Sequence, residues 1–195
     1  MSQARTNHWH LETLDGCALA IGGYPLFRYD ARGGGASGAQ TSSPSGGEIS
    51  LVFPVEQIQI PALTGRTTRV LGIPLPAGLS IAIEPQQLEG QLNPETGAVQ
   101  LRFRAAFRFR MQLGGWCLLA PPPLSIDTIL SSGPCQGRRH ARQGEPRNAS
   151  GDTTLVGVAS VPPCGAPWLD RFLGLPDEAL AVLRCRLTAT EVPCA

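Results

Sequence analysis

Apolar and polar residues alternate without a break from Val99 to Leu113. The odd positions are apolar, and the even positions are polar or small and include four arginines. This period of two predicts a β-strand with one buried face and one solvent-facing face. On an α-helix, with roughly 100° between successive residues, the arginines would be scattered around the axis.

A second alternating stretch and a turn precede this strand. Leu88, Gly90 and Leu92 alternate with polar residues, and the turn sequence NPETG follows at 93–97. Proline suits the first central position of a type I turn, and glycine suits the left-handed position that closes a short hairpin. We therefore predict a β-hairpin over 87–113. Its second strand would span about 50 Å, which exceeds the diameter of a compact domain of this length. We therefore expect the strand to curve at Ala105–Ala106 without a bulge.

Similar patterns predict further strands along the chain. The predicted strands are 8–12, 17–21, 24–29, 49–53, 55–60, 79–83, 116–120, 124–130, 153–161 and 183–189. Asp15–Gly16 is a favoured hairpin turn pair, and Pro85 is expected to end the strand before it. A short helix is predicted at 166–173, with Trp168, Leu169, Phe172 and Leu173 on one face. One more helical turn is predicted at 176–178.

These elements predict a single all-β domain over 1–195. Its mostly antiparallel strands would form a curved β-sandwich or a partly closed β-barrel, with one short helix near 166–173. Flexible loops are predicted at about 31–47 and 131–152, which are rich in glycine, serine and other polar residues. The first loop contains Gly33, Gly35 and Gly38 in a G-x-G-x-x-G spacing, but no helix pattern follows, so we expect no dinucleotide site.

Charge excludes several classes of function. All sixteen basic residues are arginine, and the formal net charge is +1. A chain without lysine has neither a Schiff-base lysine nor a P-loop lysine. The near-neutral balance provides no global field for nucleic acid. The aromatic residues of 99–113 also lie on the face opposite the arginines, so we do not expect a nucleic-acid partner.

The cysteines and the first residues predict a cytoplasmic protein, either free or peripheral to a membrane. No CxxC pair occurs among the six cysteines, and the opening residues MSQARTNHWHLETLDG contain no apolar signal-peptide core. No apolar run approaches the roughly 18 residues that a transmembrane segment needs. We expect reduced thiols, with Cys117 and Cys185 in the core.

Two faces of the predicted hairpin are candidate sites. If the sheet closes around a cavity, Phe103, Phe107, Phe109 and Met111 would line a pocket for a lipid or pigment. On the other face, Arg102, Arg104, Arg108 and Arg110 would either pair with carboxylates or bind an anionic protein or membrane surface. Arg138 and Arg139 in the second loop are candidates for the same role.

No motif predicts a catalytic centre, a metal or a cofactor. His8 and His10 would face the same way on a strand, but no third ligand follows from the sequence. No nucleophile elbow or zinc-protease motif is present. The leading hypothesis is a non-enzymatic binding protein for an apolar ligand. The alternatives are an assembly protein that docks through its arginines and an enzyme whose site the sequence does not show.

Two stretches carry a resemblance to known sequences: IEPQQLEGQLNPETGAVQLRFRAAFRF at 83–109 and LVGVASVPPCGAPWLDRFLGLPDEALAVL at 155–183. They resemble uncharacterised β-rich proteins of cyanobacteria, to which no activity is assigned. The resemblance implies a cyanobacterial cytoplasmic or thylakoid-associated setting and transfers no site residues.

Overall fold

A computed structural model of the protein describes residues 8–41 and 47–190. Seventeen strands, one α-helix and one short 3-10 helix make up this part of the chain. The strands are β1 (His8–Thr13), β2 (Cys17–Ile21), β3 (Phe27–Tyr29), β4 (Gly35–Thr41), β5 (Ile49–Val52), β6 (Ile58–Gln59), β7 (Leu63–Thr64), β8 (Thr68–Val70), β9 (Ile73–Pro74), β10 (Leu79–Leu92), β11 (Val99–Leu113), β12 (Trp116–Leu119), β13 (Leu124–Ser131), β14 (Pro134–Gln136), β15 (Ala141–Gln143), β16 (Asp152–Val161) and β17 (Asp177–Thr190). The 3-10 helix is Val55–Gln57 and the α-helix is α1 (Pro167–Leu173).

Eight strands form a closed antiparallel ring, which confirms the predicted fold class. The order around the ring is β1-β4-β5-β10-β11-β13-β16-β17, and β17 closes it by pairing with β1. The hairpin of β10 and β11 is its longest pairing, and the predicted strand 99–113 matches β11 at both ends. Eight strands enclose an interior just wide enough for side chains or one small ligand.

β17 has two successive partners on one edge. It pairs with β1 from Thr190 to Cys185 and with β2 from Val182 to Ala179. β1 and β2 therefore run in the same direction along β17 and do not pair with each other. The predicted hairpin turn at Asp15–Gly16 is wrong, because these residues only interrupt one long extended run.

β10 continues past the proline that was expected to end it. It extends through Pro85, and a β-bulge leaves Gln86 without a partner between Pro85 and Gln87. The extra residue changes which positions face inward, so Ile83 and Leu88 lie on the same side of the sheet. The partner strand β11 carries no extra residue opposite this bulge, as predicted.

β4 corrects the prediction of a loop over 31–47, of which 42–46 lie outside the described residues. Gly35–Thr41 is a strand of the ring, paired with β1 and β5. Its glycines are required by close approach, since a Cβ at Gly35 or Gly38 would lie within 2.4 Å of a backbone carbonyl oxygen. In the second predicted loop, 131–152, β14 and β15 form a separate two-stranded sheet.

The ring has two different ends. At the turn end, the 93–98 connection joins β10 to β11, and Asn93 accepts hydrogen bonds from the backbone N–H groups of Glu95 and Thr96. At the helix end, α1 connects β16 to β17, as predicted, and Gly174 ends it in the left-handed conformation. β17 begins at Asp177, so the helical turn predicted at 176–178 is wrong.

Two smaller predictions also need correction. The stretch 55–60 contains the 3-10 helix and β6 rather than one strand. On α1, Leu169 and Leu173 are buried, whereas Trp168 and Phe172 point into solvent. The four apolar residues of the helix therefore do not share one buried face.

We predict that replacing Gly38 by alanine destabilises the protein, because the new Cβ would lie 2.3 Å from the carbonyl oxygen of Val52. The expected loss is about 1–3 kcal/mol in the free energy of unfolding, measured by urea denaturation. Gly23→Ala is the matched control, since its Cβ would meet no atom within 4 Å. Equal stability of the two variants would contradict β4 as a strand of the ring.

Candidate functional site

An apolar cavity of about 160 Å³ lies inside the ring. Phe103, Phe107 and Phe109 project into it from β11. The facing strands contribute small residues, namely Gly157, Ala159, Ala179 and Ala181. Large side chains on one wall and small ones on the other leave space that is not filled, which explains why the three phenylalanines are only partly buried although they face inward.

Four polar side chains of the cavity wall are already hydrogen-bonded to the backbone. Thr128 donates to the carbonyl of Val158 over 3.0 Å, Thr13 donates to Ala31, and Tyr29 donates to Pro61. The thiol of Cys17 donates to the carbonyl of Leu14 over 3.3 Å. Burial raises the pKa of both Cys17 and Tyr29, so both groups are neutral at the wall. These groups therefore offer water or a polar ligand little that is unpaired.

A gap in the sheet beside β10 is the candidate entrance to this cavity. Along one edge, β10 pairs with β7 through Ser80 and Ile81 and with β5 only from Glu89 onward. The bulge at Pro85 lies between these pairings, and the segment 58–61 lines the cavity on the other side of the gap. Bulges are common at the edges of sheets, at the rims of barrels and beside functional sites.

The structure brings together three of the four residues predicted to contact an apolar ligand. Met111 lies on the same face of β11 but outside the cavity lining. Sequence reasoning did not identify Leu19, Phe27 or Tyr29, which line the cavity from β2 and β3. The alternation of Cys17, Leu19 and Ile21 was a signal that β2 has an inward face, but it did not indicate that the face borders a cavity.

The arginines of β11 are mostly paired on the outer face of the ring. Asp127 binds Arg102 over 2.9 Å and Arg104 over 3.4 Å, and Glu84 binds Arg108 over 2.6 Å. Asp127 is the principal cross-strand partner of these arginines, and its pKa is lowered by the hydrogen bond from Arg102. Arg110 makes no salt bridge within residues 8–41 and 47–190.

Arg138 and Arg139 hold two buried carboxylates at the start of β17. Their side chains bind Asp177 over 2.7 Å and 2.9 Å. The hydrogen bond from Arg139 is the main reason that the pKa of Asp177 falls to about 2. Burial acts to raise the pKa of Glu178, but the backbone N–H groups of residues 138–140 donate to it and lower that pKa overall. Both arginine side chains thus take part in intramolecular contacts.

The histidines and cysteines do not assemble into a metal site in the part of the chain that the structure describes. His10 shares a hydrogen bond with Ser37 over 3.0 Å on the outer surface. Cys185 is buried, as predicted, and burial raises its pKa. Cys117 is exposed in β12, which corrects its assignment to the core.

Comparisons with protein-family models, with curated proteins and with solved structures find no match for this chain. In the described residues, no helix is long and apolar enough to cross a membrane.

We predict that Arg139→Gln weakens the acid-side pH dependence of stability. The pKa of Asp177 in the folded protein lies below its ordinary value of 3.8. The stabilisation that the ionised Asp177 gives the folded state is therefore complete above pH 3.8 and is lost as the pH falls toward about 2. Without the Arg139 side chain, the pKa of Asp177 in the folded state is closer to its pKa in the unfolded state. Urea midpoints measured from about pH 6 to pH 2 should fall less steeply than in the wild type.

Arg142→Gln is the control for this experiment. Arg142 is exposed in β15 of the same small hairpin and makes no salt bridge with a described residue. A pH profile of Arg139→Gln that matches those of the wild type and this control would refute the role assigned to the Arg139–Asp177 pair.

Proposed function

We propose that this protein is a non-enzymatic binding module that holds a small apolar ligand inside the ring of strands. The observation that supports the proposal is the 160 Å³ cavity with its apolar wall. A void of this size costs stability while it is empty, at about 24 cal/mol per Å³ or about 4 kcal/mol in total. A hydrocarbon guest would recover part of that free energy by restoring the missing contacts.

The chemistry of the wall favours a hydrocarbon over a polar ligand. The hydroxyls of Thr13, Tyr29 and Thr128 donate to backbone carbonyls, so they have no free proton to donate to a polar head group. A ligand with a polar head would have to keep that head at the gap beside β10, where water can hydrate it. A single acyl chain satisfies both conditions.

The volume limits the size of the guest. An engineered cavity of about 150 Å³ binds benzene, whereas pockets for drug-sized ligands measure about 300–1,000 Å³. The cavity of this protein is at the lower end of that scale. Of the two ligand classes expected from the sequence, lipid and pigment, a lipid chain therefore fits better than a large pigment.

We predict that toluene or hexane raises the Tm of the wild-type protein, because either probe would fill the cavity of the folded state alone. At a probe concentration ten times its Kd, the expected rise in Tm is about 3–6 °C, measured by differential scanning calorimetry. Ala181→Leu places extra methyl groups in the cavity and should abolish most of this rise. Ala141→Leu makes the same chemical change in exposed β15 and should leave the rise intact.

An equal rise in Tm for all three proteins would show that the probes act elsewhere, and no rise in the wild type would overturn the proposal. Native mass spectrometry of the protein purified from its source would then test the natural ligand. We expect an added mass in the range of a single-chain lipid. A protein that is consistently free of ligand would count against the proposed function.

A further inference from the structure

We infer that the helix end of the ring docks on the surface of a lipid bilayer that contains anionic head groups. This goes beyond ligand binding, because it depends on residues outside the cavity. Eight of the eleven large hydrophobic residues with high exposure lie on three projections from this end: Leu71, Ile73, Leu113, Trp116, Leu118, Leu119, Trp168 and Phe172. We call these eight residues the apolar end.

The three projections are the β8–β9 turn, the β11–β12 hairpin and α1. The pairing registers place them at the same end, because Val70 lies opposite Phe27, and Phe27 opposite Leu19, close to the start of β17. Gln112 donates to the carbonyl of Gly78, which joins the β11–β12 hairpin to the chain that leaves β9. Tyr24 contacts Phe172 with ring centroids 5.5 Å apart.

The β11–β12 hairpin has the features of a membrane-inserting tip. Every residue from Gln112 to Ala120 is exposed, and the exposed fraction of Trp116 reaches 78%. No charged residue occurs between Arg110 and Asp127, or between Arg69 and Glu84 in the segment that carries the β8–β9 turn. Tryptophan is enriched where proteins meet the bilayer interface.

The shape of the apolar end favours a bilayer over a protein partner. Both sides of the β11–β12 hairpin are exposed, and the eight residues of the apolar end come from three different segments of the chain. A rigid protein would need a matching cavity for each projection, whereas lipid adapts to all of them. Amphipathic surfaces of this kind enter about 5–10 Å into the head-group region, and Leu113 lies three residues beyond Arg110, which is about 10 Å along a strand.

The charges at this end complement anionic lipid. Arg28, Arg69, Arg110 and Arg171 are exposed beside the projections, and none has a salt bridge to a described carboxylate. Arg28 and Arg69 even lie directly opposite each other on β3 and β8, an arrangement that is unfavourable without an external anion.

The carboxylates near the helix end already have partners. Glu84 binds Arg108, and Asp177 binds Arg138 and Arg139. Asp170 accepts hydrogen bonds from the backbone N–H groups of Cys164 and Gly165, over 2.8 Å and 3.1 Å. Backbone N–H groups do not cancel the charge of Asp170, but the four arginines without a carboxylate partner outnumber it, so the net charge at the base of the apolar projections is positive.

The test is co-sedimentation of the purified protein with vesicles of phosphatidylcholine, with and without about one-third phosphatidylglycerol. We expect binding to the anionic vesicles, with a blue shift of tryptophan emission. Trp9 is buried and Trp116 and Trp168 are exposed, so the shift should come from the apolar end and should decrease in Trp116→Phe.

Two double variants separate the apolar and ionic contributions. Trp116→Ser/Leu118→Ser should weaken vesicle binding about tenfold or more. Arg69→Gln/Arg110→Gln should weaken it about fivefold for each arginine at low salt. The control for the first is Ile129→Ser, since Ile129 is 59% exposed on the outer face of β13. The control for the second is Arg142→Gln.

No binding by the wild type, or equal losses in variants and controls, would overturn the inference. A wild-type dimer in solution that becomes monomeric in Trp116→Ser/Leu118→Ser, without vesicle binding, would assign the apolar end to a second copy instead. Ala181→Leu should still bind vesicles, and Trp116→Ser/Leu118→Ser should still bind toluene. Failure of vesicle docking is thereby distinguishable from failure of the proposed cavity function.

Discussion

Closure of the ring through β17 is the constraint on which the rest of the structure depends. One edge of β17 pairs with β16 over ten residue pairs, and the other edge is shared by β1 and β2. Strand pairing therefore continues around the ring, through a single residue pair between β13 and β16, and the inward side chains decide whether the interior is solid. Leucines fill the turn end, where Leu51, Leu101, Leu155 and Leu187 are fully buried, whereas the alanines of β16 and β17 leave space nearer the helix end.

The elements that the sequence predicts well are those whose causes are local. The alternation in β11 comes from one buried and one wet face, and Gly174 ends α1 because it adopts the left-handed conformation. The causes of β4 are distant along the chain: Gly38 is needed because the carbonyl of Val52 approaches it. Composition alone therefore made a glycine-rich ring strand look like a loop.

The bulge in β10 is an intermediate case. The inward positions are odd-numbered up to Ile83 and even-numbered from Leu88, and a change of parity within one strand requires an extra residue. This signal is present in the sequence, but Pro85 between the two patterns gave a simpler explanation as a strand end. Pro85 is compatible with the strand because β10 is unpaired at this point on one edge.

The site follows the same division between local and distant causes. Period two identifies Phe103, Phe107 and Phe109 as inward-facing, but whether they pack tightly depends on residues across the ring. An alanine such as Ala181 gives the same pattern in a filled core and at a cavity wall. The volume of the interior is therefore a property of the assembled ring and could not be predicted from either strand alone.

The distribution of charge depends on pairings that are distant in sequence. Asp127 on the neighbouring strand β13 pairs with Arg102. Asp177, which follows α1 in the sequence, pairs with Arg139, which precedes it. In sequence, these arginines are indistinguishable from Arg110, which keeps an unpaired charge beside the apolar end. Folding thus removes free charge from most of the arginine face and leaves it where apolar side chains are also exposed. The turn end of the interior is filled with side chains, so the cavity lies nearer the helix end. The cavity and the apolar end are therefore displaced in the same direction along the ring axis.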